Sequence, residues 1–72
     1  MEANIIGFRT GEKENIRYVI IFFTYSSKAV TGKACAYAFV SAAYADKLKL
    51  AKRVCCGFNR ATRKPYLYIP KE

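Results

Sequence analysis

Histidine is absent from this 72-residue chain, and acidic residues are scarce where they would matter most. Glu2, Glu12 and Glu14 fall in the first fourteen residues and Glu72 is the last; between Ile16 and Lys71 the only acid is Asp46. General acid–base chemistry at neutral pH therefore lacks both an imidazole and a central carboxylate pair. Four glycines, at positions 7, 11, 32 and 57, are too scattered for a phosphate-cradling loop. Three cysteines, Cys35, Cys55 and Cys56, are an odd number with no paired Cys-x-x-Cys spacing. Without histidine they make a poor tetrahedral zinc set, and reduced thiols packed among strands are the expectation. A thiolate at Cys55 activated by Arg53 alone is the one enzymatic option, and a weak one. The expectation is a protein that is not an enzyme and carries no cofactor or metal.

Long hydrophobic runs are missing too. Tyr18-Val-Ile-Ile-Phe-Phe23 spans six residues, and the richer stretch from Ala34 to Ala45 is interrupted by Ser41. Neither approaches the roughly 20 residues that cross a bilayer. The opening Met-Glu-Ala-Asn has no basic lead into an apolar segment, so a cytoplasmic location is expected.

What is present is positive charge and aromatic surface. Thirteen Lys+Arg against five Asp+Glu give a net +8. Between Ile16 and Lys71 eleven basic residues face one acid, a local net of +10. Such a field concentrates polyanions, and salt weakens it. Apolar residues make up 53% of the chain and Tyr+Phe 15%. A single domain this small hides only about 60% of its unfolded surface. Part of its apolar surface is therefore left for a dimer contact or a ligand platform.

Short β-prone runs separated by turn residues fill the chain. Strands are predicted at 3–9, with Gly7 marking a bulge, and at 16–25, apolar on both faces and so central in the sheet. Residues 10–15 form the turn or loop between them, flanked by Arg9 and Arg17, which read as solvated edge charges or, in the alternative, as a pair facing each other across a hairpin. A polar loop at 26–32 precedes a strand at 33–40. Ser41 can then cap a helix over 42–48, although one longer helix from 33 to 54 competes with that division. Strands at 52–60 and 65–69 follow, the latter bracketed by Pro65 and Pro70 as suits an edge. The fold expected is mainly β: one domain over 1–72, a small five-stranded OB-like, partly open barrel with one short helix between strands 3 and 4. Tyr44 on the helix would plug one end.

The last third of the chain interleaves cations with rings. Arg53, Phe58, Arg60, Arg63, Lys64, Tyr66 and Tyr68 together suit a single-stranded nucleic acid, whose bases stack on aromatic faces while Lys and Arg neutralise phosphates. Tyr66 and Tyr68 share one face of a strand and Leu67 and Ile69 the other. A core on the Leu67 side would display the tyrosines beside the basic tip at 59–65; the alternative packs them in the core or a dimer contact. Tyr25, Lys28, Lys33 and Arg17 are the remaining candidates.

The segments Ile6-Gly-Phe-Arg9, Val30-Thr-Gly-Lys-Ala-Cys-Ala-Tyr-Ala-Phe-Val-Ser41, Gly57-Phe-Asn-Arg60 and Lys64-Pro-Tyr-Leu-Tyr-Ile69 resemble small β-barrel proteins of Gram-positive phages and conjugative elements. Some of those are similar to the gene V type single-stranded DNA-binding proteins of filamentous phages. The resemblance implies a homodimer coating single-stranded DNA, in preference to RNA, through basic and aromatic residues on protruding hairpins. Two other classes compete. One is a protein-binding inhibitor or adaptor module of a mobile element. The other is attachment to an anionic membrane through Lys47, Lys49, Lys52 and Arg53.

Overall fold

The computed structural model describes residues 1–28 and 31–70. Its elements run β1 (Glu2–Lys13), β2 (Ile16–Ser26), β3 (Lys33–Ser41), α1 (Ala42–Leu50), β4 (Val54–Phe58) and β5 (Pro65–Tyr68). All strand pairs are antiparallel, in one sheet of order β3-β2-β1-β4-β5. The sheet curls into a barrel that stays open between β3 and β5. This is the strand order and helix position expected of an OB-like barrel, and the short helix prevails over the long one. β5 lies on an edge.

Two expected boundaries move for physical reasons. β1 extends to Lys13, so the turn shrinks to Glu14 and Asn15, with φ of 52° and 65°. Two successive left-handed residues make the tight hairpin turn whose twist matches the flanking strands. Gly11, which reads as a turn residue, instead lies inside the strand opposite Tyr18. The predicted strand at 52–60 contracts to Val54–Phe58, because residues 59–64 form their own hydrogen-bonded turn. The bulge falls between Ile5 and Gly7, as the glycine suggests.

Alternation along β2 and β3 divides the residues between two faces. Val19, Ile21 and Phe23 point inward, against Val40, Ala38 and Ala36 of β3. The small side chains of β3 leave room for α1, which seats Ala45 and Leu48 in the core. Val54, Cys56 and Leu67 complete it. Phe23, Ile21, Leu48 and Cys56 are the largest fully enclosed side chains. Burying a side chain of this kind is worth about 1.5–3 kcal/mol. α1 starts where Ser41 Oγ accepts a hydrogen bond from Tyr44 N (3.2 Å). Lys47 and Lys49 sit near its C-terminal end, where the helix dipole favours cations. Tyr44 donates its hydroxyl to Leu67 O (3.1 Å), so the helix closes one end of the barrel and ties down the edge strand.

Candidate functional site

Register alone dictates what the outer surface of the barrel presents. Opposite the inward set on β2 stand Tyr18, Ile20, Phe22 and Thr24, paired with Ser41, Phe39, Tyr37 and Cys35 of β3. None of these carries a charge. The aromatic rings touch in a chain: Tyr18 to Phe39 (5.6 Å between centroids), Phe39 to Tyr37 (6.0 Å) and Tyr37 to Phe22 (6.2 Å). Tyr37 and Phe39 are 56% and 62% exposed, an unusual display for adjoining aromatic side chains. A glycine of β1 makes room for one end of this floor. Gly7 and Gly11 lie opposite Phe22 and Tyr18, and a Cβ at Gly11 would collide with the Tyr18 ring.

Cations surround that uncharged floor. Arg9 faces outward beside Ile20. Across the open seam, Arg63 and Lys64 share a cleft of about 550 Å³ with Tyr37 and Phe39. At the far end of β2, Lys33, Lys52 and Arg53 line a second cleft, of about 300 Å³, with Tyr25. Arg53 Nε donates to Glu2 Oε1 at 2.8 Å, in a pair whose side chains are both more than half exposed.

Tyr66 and Tyr68 stand outward and are 48% and 38% exposed, while Leu67 between them is buried. Their ring centroids lie 6.0 Å apart. Tyr66 folds across Gly57: a Cβ there would be 2.6 Å from Tyr66 Oη. Tyr68 lies opposite Cys55, which is buried although it points away from the core. The charge that Cys55 takes on when ionised, with some burial, pushes the Tyr68 phenol above its ordinary value. Burial pushes the Cys56 thiol up as well. The outward and inward placing of Cys55 and Cys56 is the alternation expected of adjacent strand residues.

The tip between β4 and β5 is a defined turn. Asn59 Oδ1 accepts from Ala61 N (2.9 Å) and Thr62 N (3.3 Å), Arg63 N donates to Asn59 O (2.7 Å), and Asn59 N donates to Lys64 O (3.0 Å). Arg63 sits at φ 58°, a left-handed conformation that costs a residue with a Cβ about 1–2 kcal/mol. The turn thus fixes Arg60, Arg63 and Lys64 on an exposed rim.

The predicted residues therefore fall into two groups, with Lys28 and Arg17 outside both. Arg63 and Lys64 line the seam cleft, with Arg60 at the same tip, while Tyr66 and Tyr68 stand on the outer face of β5 opposite Gly57 and Cys55 of β4. Lys33 and Arg53 meet at the second cleft beside Tyr25, and the Tyr25 ring packs edge-on against Phe58 (5.4 Å) at the barrel mouth. Lys28 is exposed in the loop that follows β2. Arg17 stands apart at the other hairpin, opposite Glu12. It does not face Arg9, because Arg9 pairs with Ile20 and the two arginines point to opposite faces. Phe22 and Phe39 enter the site only with the structure, which also brings Tyr37 and Arg9 to the same outer face. Of these only Phe22 lies opposite a strand glycine, Gly7, and that opposition emerges only with the register. Among the described residues no group of three or more metal-ligating side chains converges, and no helix is long and apolar enough to cross a membrane. Comparison with family models, with curated proteins and with solved structures finds no match to this chain.

Proposed function

We propose that this protein is a non-enzymatic binder of single-stranded nucleic acid with little sequence preference, DNA ahead of RNA. The observation that carries the reading is the seam cleft, where Arg63 and Lys64 of one hairpin meet Tyr37 and Phe39 of β3. Unpaired bases have an apolar π-face and a charged backbone. A floor of rings edged by guanidinium and ammonium groups satisfies both, at about 1–3 kcal/mol for each stacked base. Tyr66 and Tyr68 extend the stacking surface beyond the seam, and Arg60, Lys33 and Lys52 extend the rim. Duplex DNA keeps its base faces covered, so it gains only the electrostatic share.

A homodimer working in the cytoplasm of a phage or mobile-element host belongs to this reading. A 72-residue barrel has a small core, and a second subunit is one way such domains gain stability. The uncharged floor also favours a second class, an adaptor or inhibitor that docks a protein there. Salt separates the two, because phosphate neutralisation weakens steeply with ionic strength and apolar docking does not.

Fluorescence anisotropy with single- and double-stranded oligonucleotides over a salt series tests the proposal. Single strands should bind more tightly. With five cations engaged, log K against log salt should fall with a slope of about −3.5. A flat salt profile, or equal affinity for duplex, would remove the nucleic-acid reading.

A further inference from the structure

We infer that Lys33, Lys52 and Arg53 form a phosphate subsite that the Glu2 carboxylate holds in the free protein and yields to a phosphate of the bound ligand. Three elements bring these groups together. Lys33 opens β3 opposite Ser26, Lys52 follows α1, and Arg53 directly precedes β4. All three line one polar cleft in which Glu2 is the only acid among the described residues. Glu2 is fixed there by the backbone, since Met1 O accepts from Cys56 N (2.7 Å) and Ala3 pairs with Val54. Pairing of Glu2 with Cys55 turns its side chain outward, towards Arg53.

The charges do not balance. Three cations surround one carboxylate, so the cleft keeps a net attraction for a further anion. The existing contact is also partial. Arg53 bonds Glu2 through Nε alone, which leaves the terminal N–H groups of a guanidinium suited to two-point recognition of phosphate. An exposed, single-point ion pair of this kind is weak enough for a better acceptor to displace. A carboxylate is a one-charge stand-in for a phosphate, and its position here marks where an oxyanion is held. The outward pair Asn4 and Thr24 then joins this cleft to Phe22 and the aromatic floor.

The subsite stands on the cleft itself; only the identification of its ligand with a nucleic-acid phosphate rests on the proposed function. That phosphate could be a backbone diester or a terminal monoester. Anisotropy with 5′-hydroxyl and 5′-phosphorylated oligothymidine tests both sources, using Glu2→Gln, Arg53→Ala and the double variant. Glu12→Gln, at the distant hairpin, is the control for the same change in net charge. Glu2→Gln should tighten binding about two- to fivefold more than Glu12→Gln. That excess should vanish in the Arg53→Ala background. Excess confined to the phosphorylated strand identifies the chain end as ligand, and excess on both strands a backbone phosphate; either result supports the subsite. Equal effects of Glu2→Gln and Glu12→Gln would overturn it. Titration of the full chain with inorganic pyrophosphate, read by amide chemical shifts, separates the two proposals. Shifts at Lys33, Lys52 and Arg53 without any oligonucleotide binding would keep the subsite and end the strand reading. An unmoved cleft at millimolar pyrophosphate would end the subsite.

Discussion

Replacing Gly57 by alanine should separate binding from stability. The added Cβ would lie 2.6 Å from Tyr66 Oη and 2.7 Å from its Cζ, well inside van der Waals contact. The obstructing atoms are the far end of an exposed side chain, so the clash is relieved by swinging the ring away without moving backbone. Alanine is worth about 0.5–1 kcal/mol over glycine in a strand, because it surrenders less backbone freedom on folding. Thermal unfolding should therefore change little or rise slightly. The displaced ring loses its place across the strand, and with it a stacking contribution of about 1–3 kcal/mol. Affinity for a single-stranded oligonucleotide should then fall by roughly five- to 150-fold at fixed salt. The slope against log salt should stay unchanged, since no cation is touched. Anisotropy and circular dichroism on the same preparation measure both quantities. Unaltered affinity in a folded Gly57→Ala protein would refute the role given to Tyr66.

Three further outcomes follow from the same structure. Arg63→Ala with Lys64→Ala should reduce the steepness of the salt dependence by about 1.4, because two phosphates are no longer neutralised, and weaken all sequences alike; alanine keeps the Cβ at Arg63, so backbone strain is the same in both proteins. Leu48→Ala opens a cavity where α1 meets the barrel and should cost about 2–5 kcal/mol in chemical denaturation. Stability should also decline as pH rises past 9.0, the ordinary thiol value. Burial raises the folded pKa of Cys56, so the thiol contributes fully below the unfolded value and loses that contribution as pH climbs through the folded one. Cys56→Ala should flatten that alkaline limb in melts measured across pH.

The order of elements was legible because each carried its own local chemistry. β2 is dense in β-branched and aromatic residues, Ser41 is a good cap, and two prolines bracket β5. The outward display of Tyr66 and Tyr68 followed from alternation once Leu67 was assigned to the core. The aromatic floor was harder to find for the opposite reason. Tyr18, Phe22, Tyr37 and Phe39 lie in runs that are apolar in both directions, so alternation could not say which side faced water. Gly11 misled because a glycine beside polar residues reads as a turn, whereas its actual work is to make room for the Tyr18 ring. Long-range pairing was invisible as well. Nothing local to Glu2 or Arg53 announces that residues 51 positions apart will share an ion pair.

The barrel is joined on one side by a very short stretch of ladder, where Glu2 and Ala3 meet Cys55 and Val54. Met1 adds backbone bonds with Cys56 to that ladder, but most of what joins the two sides is side-chain packing. The three-stranded meander and the C-terminal hairpin are instead held as one body by the shared core, in which Val54, Cys56 and Leu67 pack with Val19, Ile21 and Phe23, and by the Tyr44 hydroxyl on Leu67 O. The cleft between Tyr37 and Lys64 therefore has both its walls anchored in the same packed interior, and a ligand there would meet a surface already in place.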